Sequence, residues 1–128
     1  METLDLLDIR PALTATDLDA SLAWYRDVVG FEVQQTYERD GKVGAASLQA
    51  GSARLLLVQD DGAKGLDRQK GEGFRLHMAT ADDVDAIAAG IEERGGTLES
   101  PPVDTPFGTR AFSLEDPDGF KVTISTEA

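Results

Sequence analysis

The sequence predicts an α+β fold. Two βαβββ modules run in tandem and form a curved, partly open barrel-like sheet with the helices on the outer face. Three observations predict it. First, residues 16–30, TDLDASLAWYRDVVG, carry an apolar stripe at Leu18, Leu22, Tyr25 and Val29, the spacing of one helix face. Second, the device returns 66 residues later in 82–96: Asp17, Asp19, Ala20 and Gly30 match Asp83, Asp85, Ala86 and Gly96, and Leu18, Leu22 and Tyr25 match Val84, Ala88 and Ile91. Third, each helix is followed by short apolar runs separated by turn residues, which read as strands.

In chain order, 7–15 reads as the first strand. Thr16 or Asp17 caps the first helix, because a short side-chain oxygen accepts from the free N–H groups of the first turn. Thr16 and Asp19 have the spacing of a capping box, and Gly30 suits the left-handed stop. Strands follow over 31–38, 43–49 and 53–59, with Asp40-Gly41 and Gly51-Ser52 as turns. Residues 60–73, DDGAKGLDRQKGEG, lack apolar periodicity. They read as a solvated linker, with a mobile flap over a pocket as the alternative. The second module repeats the order: a strand over 74–80, a helix over 83–94, a strand beginning at 97–99, a proline-punctuated loop over 100–106, and strands over 108–114 and 120–125. The domain organisation is therefore one domain: module one over 7–59, the linker, and module two over 74–126. A single helix covers one face of a four-stranded sheet, so the opposite, curved face is left to line a cavity or meet another subunit.

Composition excludes several functions. There is no cysteine, so thiol catalysis, disulfides and thiolate metal sites are ruled out. With 24 acidic and 12 basic residues the formal charge is −12, which argues against nucleic acid, whose phosphates are met by Lys and Arg. The field would suit a cationic ligand, or serve solubility alone. No stretch is long and apolar enough to span a membrane. The start, METLDLLDIR, lacks the basic-then-apolar pattern of a signal peptide, so a cytoplasmic location is expected.

Two stretches carry a family resemblance. DLDASLAWYRDVVGFEV resembles the first helix of the vicinal oxygen chelate superfamily, which includes glyoxalase I, extradiol dioxygenases and bleomycin-resistance proteins. TPFGTRAFSLEDPDGFKVTI looks like its C-terminal hairpin, where Pro-aromatic-Gly and Asp-Pro-Asp-Gly recur. The resemblance covers nearly the whole chain and implies paired βαβββ modules. The carboxylates of Asp116 and Asp118 read as turn formers rather than ligands.

The resemblance also implies where a metal would be held. Those positions fall on Arg10, seven residues before Asp17; on Leu76, seven before Asp83; on Thr123; and on Leu56, give or take one residue. This quartet does not hold a divalent ion. Arg is cationic without an acceptor, Leu has no donor atom and Thr alone is a poor ligand. No metal and no cofactor are expected. His77, the sole histidine, should face away from Arg10 and Thr123 and pack on the second helix; a one-residue slip would turn it inward.

The cleft then reads as largely apolar with one fixed cation, Arg10, which meets either a ligand's negative group or a nearby Asp or Glu. Leu56, Leu76, Phe74, Met78 and Thr123 are expected to line it, with Tyr37 and Phe107 as aromatic walls; core or dimer packing is the alternative role for the aromatics. Trp24 and Tyr25 are expected in the core or at a subunit interface. The leading function is a metal-free small-molecule binding protein, a homodimer resembling the bleomycin-resistance branch and acting by sequestration. The alternatives are an enzyme of the lyase, isomerase or oxygenase type, with a divalent metal or metal-independent, and a scaffold with no small-molecule role.

Overall fold

A computed structural model describes residues 2–127. Module one comprises β1 (Ala12–Ala15), α1 (Leu18–Ala23) continuing into a π-helical segment (Trp24–Val29), β2 (Glu32–Arg39), β3 (Lys42–Ala50) and β4 (Ala53–Gln59). Module two comprises β5 (Arg75–Thr80), α2 (Val84–Glu93), β6 (Leu98–Asp104), β7 (Arg110–Glu115) and β8 (Lys121–Thr126). The strand orders are β1-β4-β3-β2 and β5-β8-β7-β6, with the first strand of each module parallel to the last and the other pairs antiparallel. The tandem α+β architecture expected from the sequence is therefore present, as two open four-stranded sheets. No helix among the described residues is long and apolar enough to cross a membrane.

Each helix begins and ends where its sequence dictates. Asp17 accepts from the Ala20 N–H at 3.3 Å, and Asp83 from Asp85 at 2.9 Å and Ala86 at 3.4 Å. The capping box does not form, because the Thr16 hydroxyl turns to Asp118 at 2.5 Å instead. Gly30 N–H donates to Tyr25 O and Gly96 N–H to Ile91 O, both at 2.9 Å, so the matched glycines close equivalent turns. The left-handed residue differs: Gly30 in the first helix, with φ 113°, but Gly95 in the second, with φ 92°. Gly96 is needed for close approach, since a Cβ there would sit 2.5 Å from Ile91 Cγ2 and 2.7 Å from Val28 Cγ1.

Two strand expectations are corrected. Residues 7–11 lie outside β1, and residues 2–10 are exposed. Pro11 has no N–H to extend the ladder, although its carbonyl still accepts from Leu56 N–H at 2.9 Å. Conversely, β6 runs through Pro101 and Pro102, where the sequence predicts a loop. An edge strand with register shifts tolerates them.

Each helix packs on one face of its own sheet, and both packed faces belong to one continuous core that includes Leu13, Leu57, Tyr25, Ile91, Phe112 and Val122. Polar contacts then lock the modules together. Asp116 Oδ1 accepts from Asp118 N–H at 2.8 Å and Phe120 N–H at 2.9 Å, while Oδ2 accepts from the buried Tyr25 hydroxyl at 2.9 Å. Asp118 takes both the Thr16 N–H and its hydroxyl. On the helix side, the Arg94 guanidinium donates to Val28 O at 2.9 Å. The 60–73 connection is anchored rather than freely solvated. The Lys70 ammonium is buried 3.0 Å from Asp60 and 2.7 Å from the Thr16 hydroxyl. The Gly62 N–H and Lys70 hold the Asp60 carboxyl below the usual carboxylate range. A Cβ on Gly71 would lie 2.2 Å from Gly119 O, so the strap passes directly over the β7–β8 turn.

Burial pushes the Asp116 carboxyl up, against the lowering effect of its three donors. A raised native pKa stabilises the fold below the unfolded value of about 4, and that contribution is lost as pH rises through the native value. Asp116→Ala should cost about 3 kcal/mol at neutral pH by leaving buried donors without an acceptor. Asp116→Asn, which keeps an acceptor and removes the charge, should cost much less and flatten the pH dependence. Urea unfolding at pH 5 and pH 8 checks both.

Candidate functional site

The helix-free face of each sheet is the candidate site, and strand register decides what it presents. In module one, Leu13 and Leu57 point to the core, so Ala12, Thr14, Leu56 and Val58 point the other way. Pairing carries that face across the sheet: Val58 lies beside Ala45 and Tyr37, and Leu56 beside Ser47 and Gln35. In module two, Leu76 and Met78 pair with Val122 and Ile124 on the core side. The open face therefore carries His77 beside Thr123 and Ser113, and Ala79 beside Ser125 and Ala111.

This corrects the expected placement of Leu76 and Met78. Leu76 is a core residue, 8% exposed, and Met78 packs against the core. Phe74 precedes β5 with the same parity and sets its ring 5.7 Å from that of Phe120, edge to face. His77 takes the open face instead of packing on α2. The physical reason is a single residue. Ala15 is followed by Thr16 and then the cap Asp17, whereas Thr80 is followed by Ala81 and Asp82 before the cap Asp83. Asp17 still matches Asp83, but within the strands Ala12 corresponds to His77 and Leu13 to Met78. A shift of one residue inverts every side chain on a strand. The signal was present in the sequence: Phe74, Leu76 and Met78 alternate as a buried face does.

The remaining residues fall as follows. Leu56 and Thr123 occupy equivalent open-face positions on the last strands of the two modules. Tyr37 stands on the open face of β2, 45% exposed. Phe107 is 82% exposed at the tip of the β6–β7 loop, which is held by the Thr105–Thr109 hydroxyl contact at 2.6 Å. Arg10 lies upstream of β1, exposed, with its guanidinium 3.2 Å from Asp8. Leu76 faces away from Thr123, so the quartet Arg10, Leu56, Leu76 and Thr123 does not converge. Trp24 and Tyr25 are helix residues packed in or against the core, with rings 4.7 Å apart. The sequence reading missed Arg75, which donates to the Thr123 hydroxyl at 2.6 Å. On the same face Lys121 bridges Glu99 and Glu115, and this holds the Glu99 carboxyl below its usual range.

The open faces do not suit a divalent metal. Leu56 offers no donor atom, and the Thr123 hydroxyl already accepts from Arg75. His77 is the sole imidazole, and among the described residues no three His, Asp or Glu side chains lie close enough to share an ion. What the faces do carry is small side chains: Ala12, Thr14, Ala45 and Ser47 on one, and Ala79, Ala111, Ser113 and Ser125 on the other, with Ala111 and Ser125 themselves buried.

Comparison with known proteins agrees with this architecture. Residues 9–124 match the family model described as the glyoxalase/bleomycin resistance protein/dioxygenase superfamily. The chain is 30% identical to the uncharacterized protein YaeR of Escherichia coli (strain K12) over 117 residues, covering 88% of this chain and 90% of that one. Among solved structures it resembles TioX from Micromonospora sp. ML1, with TM-score 0.77, 20% identity, and 94% and 98% of the two chains covered. It also resembles a lactoylglutathione lyase from Agrobacterium tumefaciens, with TM-score 0.68, 26% identity and 95% of each chain covered.

The register makes a direct prediction. Leu76→Ala should destabilise the protein by about 2–5 kcal/mol, the range for emptying a packed aliphatic site. His77→Ala should stay within about 0.5 kcal/mol, as exposed positions do. Chemical denaturation of the two variants checks the assignment, and the reverse order would restore the alternative register.

Proposed function

We propose that this chain, which belongs to the glyoxalase/bleomycin resistance protein/dioxygenase superfamily, is a metal-free binding protein for a small organic molecule. A drug-like compound or aromatic metabolite fits best, and the protein acts by sequestering it. One observation carries this reading: both helix-free faces carry small side chains, and among the described residues no three His, Asp or Glu side chains come together to hold a metal. Leu56 and Val58 add apolar surface, Tyr37 stands beside Ala45 as an aromatic wall, and Thr123, Ser113 and His77 supply polar contacts. Flat organic ligands are held by this combination of stacking and a few directed hydrogen bonds. In this reading the protein works as a symmetric homodimer, with the ligand enclosed where open faces of two copies meet.

An enzymatic reading draws on a different observation. His77 is beside Thr123 on the open face, which puts a titratable imidazole within the candidate cleft. The 26% identity to a lactoylglutathione lyase gives the same direction. Metal content separates a metal-dependent lyase, isomerase or oxygenase from the binding protein. Protein purified without an affinity tag should carry far less than one divalent metal per chain, and about one per chain would overturn the proposal.

Binding is read by thermal shift across a panel of planar aromatic compounds. Trp24 packs against the core, so its fluorescence is a poor reporter of the open faces. A true ligand at a hundred times its Kd should stabilise the native state by about 2.7 kcal/mol. Ser47→Trp, which fills the floor of module one, should abolish that shift while the protein remains folded.

A further inference from the structure

We infer, building on the reading of the helix-free faces as binding surfaces, that Arg75 is a carboxylate anchor and that the molecule bound on module two is an organic monocarboxylate with an apolar body. Arg75 Nη1 donates to the Thr123 hydroxyl at 2.6 Å, and Thr123 is only 8% exposed. The Nε and Nη2 donors of Arg75 have no hydrogen-bond or ion-pair partner among the described residues. The chain has 24 acidic and 12 basic side chains, yet this exposed guanidinium is left to a neutral hydroxyl. Thr123 steadies one nitrogen of the planar group and leaves the Nε–Nη2 edge for another acceptor. Two donors on one rigid edge match the two oxygens of a carboxylate.

The charges beside Arg75 limit what it can hold. Arg75 pairs across the sheet with Lys121, and Lys121 with Glu115. Lys121 is already taken, since it donates to Glu115 at 3.0 Å and to Glu99. Among the groups that hold the Glu99 carboxyl down, Arg75 contributes least. These two cations and two carboxylates sum to zero, so directed donors rather than net charge must do the recognising. A phosphate dianion would set two negative charges beside Glu99 and Glu115 in a chain of net charge −12. A carboxylate brings a single delocalised charge and the matching geometry.

The face also grades from charged to apolar along the strands. Two residues beyond Arg75 comes His77, beside Thr123 and Ser113, whose hydroxyls lie 3.3 Å apart. Two residues further comes Ala79, in the row that continues through Ser125 and Ala111 to Val103. At about 3.3 Å per residue, that row begins about 13 Å from Arg75 along the strand. The exposed Phe107 stands beyond it, at the tip of the β6–β7 loop. A carboxylate on Arg75 therefore sends the rest of its molecule past His77 and Ser113 towards Ala111 and Val103. An arylalkanoate has that reach and that polarity.

The test uses 4-phenylbutyrate and its neutral isostere 4-phenylbutanamide, titrated into the 128-residue chain and followed by amide NMR. The acid is expected to bind saturably, to shift Arg75, His77, Ser113 and Thr123, and to bind at least tenfold more tightly than the amide. Arg75→Gln should erase that preference. Arg75→Lys, which keeps the charge without the fork, should restore only part of it. Arg75 is exposed, so both variants should keep the melting temperature of the parent. No saturable binding of the acid, or a preference that survives in Arg75→Gln, overturns the inference. Tighter binding of 3-phenylpropyl phosphate than of the acid overturns it as well. Equal binding of acid and amide removes the role of Arg75 but leaves the small-molecule reading standing, so the two fail separately.

Discussion

The structure depends on the buried contact between the Asp116 carboxylate and the Tyr25 hydroxyl. Asp116 shapes its own turn through the Asp118 and Phe120 N–H groups and reaches into module one with its other oxygen. A carboxylate with three donors tolerates burial that an unpaired one would not. Asp118 extends the same clamp to Thr16, and Lys70 ties the connecting strap to Thr16 and Asp60. The β7–β8 turn of module two thus fixes the start of α1. The helix-packed faces are drawn into one core, and the helix-free faces lie outside it.

That division of faces governs the functional reading. The core sides of the sheets carry Leu, Ile, Val and Phe, whereas the open sides carry Ala, Ser and Thr with isolated polar groups. Small residues on a β-surface place little chemistry within it. Binding follows from such a surface more naturally than metal-assisted catalysis, which needs several convergent ligands of fixed geometry. Arg75 is held by Thr123 and so adds a directed donor at the edge of this surface.

Much of the fold was legible because its signals are local. The cap aspartates, the apolar stripes and the Asp-Gly and Asp-Pro-Asp-Gly turns each act within a few residues. Tyr25 was legible as buried, but its partner 91 residues away was not, since nothing local pairs a phenol with a distant turn. The site was less legible for a specific reason. Helix equivalence fixes Asp17 against Asp83, and carrying that match back into the strand ignores the additional residue at Ala81-Asp82. Leu56 and Thr123 lie on the helix-free faces because β4 and β8 are each anchored by the turn that precedes them. Leu76 and Met78 do not, because their register depends on a connection of variable length. The linker was misjudged for a similar reason: Lys70 reads as solvated by composition, yet its ammonium is buried against Asp60.

Amide NMR during titration with anilinonaphthalene sulfonate, an aromatic probe bearing one sulfonate, tests most directly whether the helix-free faces bind small molecules. Saturable shifts centred on Ala45, Ser47, Leu56, Ala79, Ala111 and Thr123 are expected, with the core-facing Leu57 and Ile124 little changed. Saturable shifts confined to α1 and α2, or none at all, would contradict binding there.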